Sequence, residues 1–131
     1  MAKRDSRFDG NCGMFAIAVA DEAYRQGKHA DFVLAHDAES PEHLRRGQFH
    51  LFHVAIEVDG VMADARGRIA EEKDLLSFMA SPVPVAKVER FPVNRDVKAI
   101  IRRKTRWTVS FEKYQAEAQR LIKHLSRPPA T

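Results

Sequence analysis

Cysteine is almost absent from this sequence: the chain has one cysteine, Cys12, among 131 residues. A single cysteine forms no disulfide within the chain, and it cannot supply the thiolates of a zinc site, an iron–sulfur cluster or a dithiol redox pair. Those classes of metal and redox protein are therefore excluded. If Cys12 has a chemical role, it acts as a lone thiol.

Long apolar runs, repeats and low-complexity tracts are also absent. No apolar run approaches the roughly 20 residues that a membrane-spanning helix needs, and no signal-peptide segment follows the charged start Met1–Arg7. We therefore expect a soluble, cytoplasmic protein with no membrane partner. Its length indicates a single domain over residues 1–126, with a frayed tail at 127–131.

Basic residues slightly outnumber acidic ones, with 22 Lys and Arg against 18 Asp and Glu. The densest basic cluster is Lys98–Arg106, followed by Trp107. Arg102, Arg103 and Lys104 can contact nucleic-acid phosphates or recruit an acidic protein. The favoured interpretation is a solvated helix face whose apolar residues pack inward.

The first predicted element is a helix that starts at the cysteine. Asn11 is a candidate N-cap, Gly27 a candidate C-cap, and the stretch Met14–Ala20 is apolar almost all round. A helix without a polar face is buried, so we expect this one at the centre of the domain.

A strand and a β-hairpin are predicted next. Asp31–His36 has the pattern of a short strand, and 37–47 that of a surface loop. Gln48–Val58 and Val61–Arg66 are β-prone runs joined by Asp-Gly, the favoured two-residue hairpin connection.

Further helices are predicted towards the C-terminus, after an extended segment. A helix over 72–80 precedes an edge strand over 84–91, and Asn94 and Ser110 can cap two more helices. The sequence thus predicts an α+β fold in which the Cys12 helix packs on a small antiparallel sheet, with later helices covering the remainder.

The hairpin brings a histidine and an aspartate together. If Val58 faces Val61, then His53 and Asp64 lie on one face as diagonal cross-strand neighbours, whose Cα atoms are generally about 7 to 8 Å apart. An imidazole and a carboxylate can meet over that distance. Asp64 can therefore orient His53.

Cys12 has the setting of an activated thiol. The first turn of a helix favours the thiolate, and a histidine beside it can take up the proton. Cys12, His53 and Asp64 then supply nucleophile, base and orienting carboxylate. The loop before the helix offers backbone N–H groups to an oxyanion, with Asp9, Asn11 and Gly13 as the candidate residues.

Structural alternatives remain open for each of these residues. A lone Cys12 can be a small packed side chain, and His53 a strand histidine bonded to backbone or water. Asp64 can pair with Arg66 or Arg68. A metal site made from His36, His50, His53 or Asp64 is conceivable, but no supporting ligand spacing is present, so we expect no metal.

The cysteine at the start of a buried helix, the histidine early in a strand and the aspartate on the next strand resemble the papain-like and transglutaminase-like thiol enzymes. Asp9-Gly10-Asn11-Cys12 is also similar to the motif of ovarian-tumour-type deubiquitinases. The resemblance implies a papain-like domain with a Cys-His-Asp triad. It implies a cysteine-dependent hydrolase or acyl transferase, of protease, deamidase or amidase type, that needs no cofactor.

The substrate expected from this resemblance is a protein or peptide, and Arg66 and Arg68 are candidates for binding an anionic group on it. The rival hypothesis is a non-catalytic binding or inhibitor protein, of phage or mobile-element origin, that acts through its basic surface on a protein or nucleic acid.

Overall fold

A computed structural model describes residues 12–64, 67–69, 87–104 and 111–125. For Cys12, Arg68, Phe111, Lys113 and Leu125 it describes the backbone alone. The caps predicted at Asn11 and Ser110, the helix over 72–80 and the tail at 127–131 lie outside these residues.

The described chain has an α+β fold, as the sequence predicts. Its sheet is antiparallel, with strand order β4-β3-β2-β1-β5. The elements are α1 (Cys12–Arg25), β1 (Ala30–His36), α2 (Pro41–Arg46), β2 (Leu51–Val58), β3 (Val61–Asp64), β4 (Gly67–Arg68), β5 (Lys87–Pro92), α3 (Arg95–Lys104) and α4 (Phe111–Leu125).

Helix α1 is the buried helix predicted from its apolar sequence. Every residue from Gly13 to Ala20 is buried. The helix ends in a Schellman motif, in which Lys28 N–H donates to Ala23 O at 2.8 Å while Gly27 takes φ +69°. Glycine satisfies this left-handed position without a Cβ penalty, so the chain turns sharply into β1.

The predicted hairpin is confirmed, with its turn and register. Asp59 and Gly60 both have positive φ, 48° and 86°, as a two-residue type I′ turn requires. Val58 pairs with Val61 and Ile56 with Ala63. The first strand is shorter than predicted, because β2 begins at Leu51. The second strand is described from Val61 to Asp64, and the rest of its predicted range, 65–66, lies outside the described residues.

The prediction of a loop over 37–47 is wrong for Pro41–Arg46, which form helix α2. Ser40 Oγ accepts a hydrogen bond from His43 N–H at 3.1 Å, Pro41 stands in the first turn, and Gly47 ends the helix at φ +75°. This six-residue helix has caps at both ends but no fully buried residue, so it lacks the apolar periodicity by which a longer helix is detected.

The two faces of the sheet have separate cores. The larger core joins α1 to one sheet face and to α3 and α4, through side chains that include Phe32, Leu34, Val54 and Ile56. The opposite face carries a small apolar cluster of Val33, Ala55 and Met62. Alternation along β2 therefore sends Val54 and Ile56 towards α1 and their neighbours away from it.

The later elements follow their predicted patterns. Asn94 Oδ1 accepts from Val97 N–H at 2.9 Å and caps α3. Tyr114, Ala118 and Ile122 form a buried stripe on α4, and β5 is an edge strand beside β1. Among the described helices, none is long and apolar enough to cross a bilayer.

Candidate functional site

A histidine and a buried aspartate meet where the hairpin strands run side by side. His53 Nε2 lies 2.9 Å from Asp64 Oδ2, a hydrogen-bond distance. The Asp64 side chain is 2% exposed and that of His53 is 16% exposed. The contact predicted from the hairpin register is therefore present, and the carboxylate is sealed from solvent while the imidazole keeps an accessible edge.

The position of His53 follows from the geometry of β2. His53 pairs with Ala35 on β1, and the next pair joins Leu51 to His36. This pairing skips Phe52, so β2 has one extra residue there. This extra residue is the signature of a β-bulge, a feature that commonly re-aims side chains. Beyond it, alternation places His53 on the face opposite α1.

Asp64 selects the tautomer of His53. A buried carboxylate accepts a hydrogen bond, so the neutral imidazole carries its proton on Nε2 and presents Nδ1 as the basic nitrogen. If the ring becomes protonated, the carboxylate stabilises the cation. The pair thus has the chemistry of an oriented general base.

Cys12 is the first residue of α1, and the structure describes its backbone only. Gly13 is buried in the first turn of that helix. The other two candidates for the oxyanion hole, Asp9 and Asn11, lie outside the described residues. The convergence of Cys12 with His53 therefore stays a prediction.

The candidate substrate-binding arginines are not placed by the structure. Arg66 lies outside the described residues, and Arg68 is described as part of the β4 backbone, where it pairs with Ala63. Contacts of Arg66 or Arg68 with Asp64, or with an anionic group of the substrate, stay predictions.

A fully buried histidine, His36, lies outside the predicted triad. His36 Nε2 lies 3.0 Å from Glu89 Oε1, and His36 Nδ1 accepts from Ala38 N–H at 3.0 Å. His36 therefore links β1 to β5 and holds the start of the following loop. The sequence gave no sign of the contact with Glu89, because Glu89 is distant from His36 along the chain.

His50 lies outside β2, where an exposed ion pair holds it. Its ring is 2.9 Å from Asp37 Oδ2, and its N–H donates to Asp37 Oδ1 at 2.6 Å. These hydrogen bonds hold the pKa of Asp37 below its usual value, with the backbone bond as the largest cause. Phe52 would face the core with Val54 and Ile56 if β2 alternated regularly. The irregularity in β2 removes it from the alternation, so Phe52 stacks on the His50 ring and is only half-buried.

The predicted basic cluster is placed at the end of α3. Arg102, Arg103 and Lys104 form its exposed last turn, while Val97 and Ile101 are buried on its inner side. Trp107 lies outside the described residues.

A metal centre has no support within the described part of the chain. No group of three or more His, Cys, Asp or Glu residues there is arranged to hold a metal ion. Among the residues that the structure describes, four histidine–carboxylate contacts are separate pairs: His29 with Asp31, His36 with Glu89, His50 with Asp37, and His53 with Asp64.

Comparisons with known proteins do not assign the site. No protein-family model, curated protein or solved structure matches the chain. The resemblance to papain-like and transglutaminase-like enzymes therefore stays a prediction made from the residues themselves.

Proposed function

We propose that this protein is a cysteine-dependent hydrolase or acyl transferase that acts on a protein or peptide. Cys12 is the nucleophile, His53 the base and then the acid, and Asp64 the residue that orients His53. The observation that carries the proposal is the 2.9 Å contact between His53 Nε2 and the buried Asp64 carboxylate.

The connectivity of α1 places Cys12 near one end of the sheet. Residues 26–29 are the only link between α1 and β1, and so short a connection makes the two elements run antiparallel. A 14-residue helix is about 21 Å long and a seven-residue strand about 23 Å. The first turn of α1 should therefore return to the end of the sheet where β2 begins.

The Cys12 sulfur must then pass around the start of β2 to reach His53. This is required because the body of α1 packs on the Val54 and Ile56 face, whereas His53 projects from the other face. With Asp64 on Nε2, the nitrogen that accepts the thiol proton is Nδ1.

The reaction needs no cofactor. Nδ1 of His53 takes the Cys12 proton, the thiolate attacks an amide or ester carbonyl carbon, and a C–S bond forms. As the C–N or C–O bond breaks, the His53 cation returns the proton to the leaving amine or alcohol. Water or an amine then gives a proton to His53 and attacks the thioester carbon, the C–S bond breaks, and Cys12 regains its proton from His53. Hydrolysis, deamidation and transfer therefore share the first half of the reaction.

Thiol labelling tests the proposal directly, because Cys12 is the chain's only cysteine. The rate of iodoacetamide alkylation, followed against pH by mass spectrometry, should titrate with an apparent pKa below the ~8.5 of a free thiol. His53→Gln should slow alkylation at pH 7 by up to about tenfold, since a thiol pKa rise of about one unit lowers the thiolate fraction by at most that factor.

His50→Gln is the matched control, because His50 also lies near the start of β2 but is exposed and bonds to Asp37. Its alkylation rate should equal that of the unaltered protein. Slow alkylation that accelerates only in denaturant would show that Cys12 is a packed side chain. Equal rates in His53→Gln and His50→Gln would show that His53 is not the base for Cys12.

A further inference from the structure

A basic cleft lies between the ends of α2 and α3. Its volume is about 230 Å³, and its lining is Arg46, Gly47, Ile100, Arg103 and Lys104. Two helices distant in sequence thus bring three cationic side chains together around one half-buried isoleucine. We call these five residues the α2–α3 cleft.

Lys104 is held in place by the chain segment after α2. Its Nζ donates to Phe49 O at 2.7 Å and lies 4.8 Å from the centre of the Phe49 ring. Neither contact is with an anion, so neither neutralises the positive charge of the ammonium. The cation at this corner of the cleft is therefore positioned before any ligand arrives.

The cleft has an excess of positive charge. Arg46 pairs with Glu42 at 2.9 Å, and the same carboxylate also contacts Arg45. Within the described residues, no carboxylate contacts Arg103 or Lys104. Like charges gathered in this way repel one another, and a bound anion relieves the repulsion.

The size of the cleft limits the anion to one small group. Sites that enclose a whole small-molecule ligand span roughly 300–1,000 Å³, and this cleft is smaller. A phosphate group fits the charge and the forked donors of two arginines better than a carboxylate does, because it offers more oxygens and more negative charge.

The α2–α3 cleft is separate from His53 and Asp64. Helix α3 packs Val97 and Ile101 into the core on the α1 side of the sheet, whereas His53 and Asp64 lie on the other side. Binding at the cleft can therefore be tested without reference to thiol chemistry.

We propose that the α2–α3 cleft binds a phosphate group through Arg46, Arg103 and Lys104. The group can come from a nucleic-acid backbone or from a small phosphorylated molecule, which share this chemistry. The site thus gives the protein a ligand beyond the peptide on which the proposed thiol reaction acts.

The experiment measures binding of two probes, pyrophosphate by calorimetry and a fluorescent single-stranded dT12 oligonucleotide by anisotropy, at low and moderate salt. We expect saturable binding that falls about tenfold in Arg103→Gln and in Arg46→Gln, the effect of losing one charged hydrogen bond. Lys104 is left intact because it also holds Phe49.

Arg120→Gln is the matched control, because it removes the same charge from an exposed position on α4 and should leave affinity unchanged. Binding of both probes identifies a general phosphate site, and binding of dT12 alone identifies the nucleic-acid backbone as the source. Three results would each overturn the proposal. The first is equal weakening of binding by all three substitutions, the second is competition by polyglutamate as strong as that by pyrophosphate, and the third is no saturable binding of either probe. The last result would leave the basic residues as stabilisers of helix C-termini.

Discussion

At the scale of single residues, burial separates histidine–carboxylate pairs that look alike in the sequence. His50 is 84% exposed beside Asp37, whereas His53 contacts a carboxylate that is 2% exposed. A buried carboxylate interacts more strongly with an imidazolium than one screened by water. Asp64 is thus suited to hold His53 in one orientation, and Asp37 mainly ties a loop to the strand start.

Replacing Asp37 tests the role of that surface pair. Because hydrogen bonds from His50 lower the pKa of Asp37 in the folded state, its carboxylate stabilises the fold above the unfolded pKa, and this contribution is lost as the pH falls through the folded pKa. Asp37→Asn should therefore unfold at lower urea concentration at pH 7, with a difference that shrinks below about pH 4.

The exposed neighbour Glu39 provides the control, because Glu39→Gln changes the net charge by the same amount. A pH-independent urea midpoint difference for Asp37→Asn, equal to that of Glu39→Gln, would contradict this role for Asp37.

At the scale of elements, the residues of the turn determine the geometry of the hairpin. Asp59 and Gly60 both adopt positive φ, and a turn of this type matches the twist of the strands it joins. A two-residue turn fixes the register, and the register puts His53 and Asp64 on one face. The placement of this pair was therefore predictable, whereas α2 was missed because its caps have no apolar pattern beside them.

Gly60→Ala tests how far the turn sets the hairpin. A Cβ at Gly60 meets nothing within 4 Å, so the cost is that of a non-glycine residue at φ +86°. We expect the free energy of unfolding to fall by about 1 to 2 kcal/mol in urea denaturation. Asp59→Asn should change it much less, because asparagine also tolerates positive φ, and a similar loss in both variants would contradict this explanation.

At the scale of the whole molecule, α4 completes the core that buries α1. The Phe15 and Tyr114 rings meet edge to face, with centroids 6.2 Å apart, and Ala118 and Ile122 belong to the same cluster as the α1 residues. The helix that begins at the candidate nucleophile is therefore held between the sheet and a helix from the far end of the chain.

Ile122→Ala should weaken this packing. Ile122 is fully buried, and removing so much of a buried isoleucine costs about 2 to 5 kcal/mol. Thermal or urea unfolding measures the loss. Lys123→Ala, on the exposed side of α4, should lie within about 0.5 kcal/mol of the unaltered protein; an equally small effect of Ile122→Ala would mean that α4 is not part of the core.

The sequence by itself determined the features that depend on neighbours along the chain: the apolar helix from Cys12, the Asp59-Gly60 turn, and the contact of His53 with Asp64. Only the tertiary structure decided which sheet face α1 covers, which partner His36 takes in Glu89, and that α2 and α3 together form a basic cleft. The physical reason is that turns and alternation are set by local backbone geometry, whereas packing between distant segments depends on the shape and charge of whole surfaces.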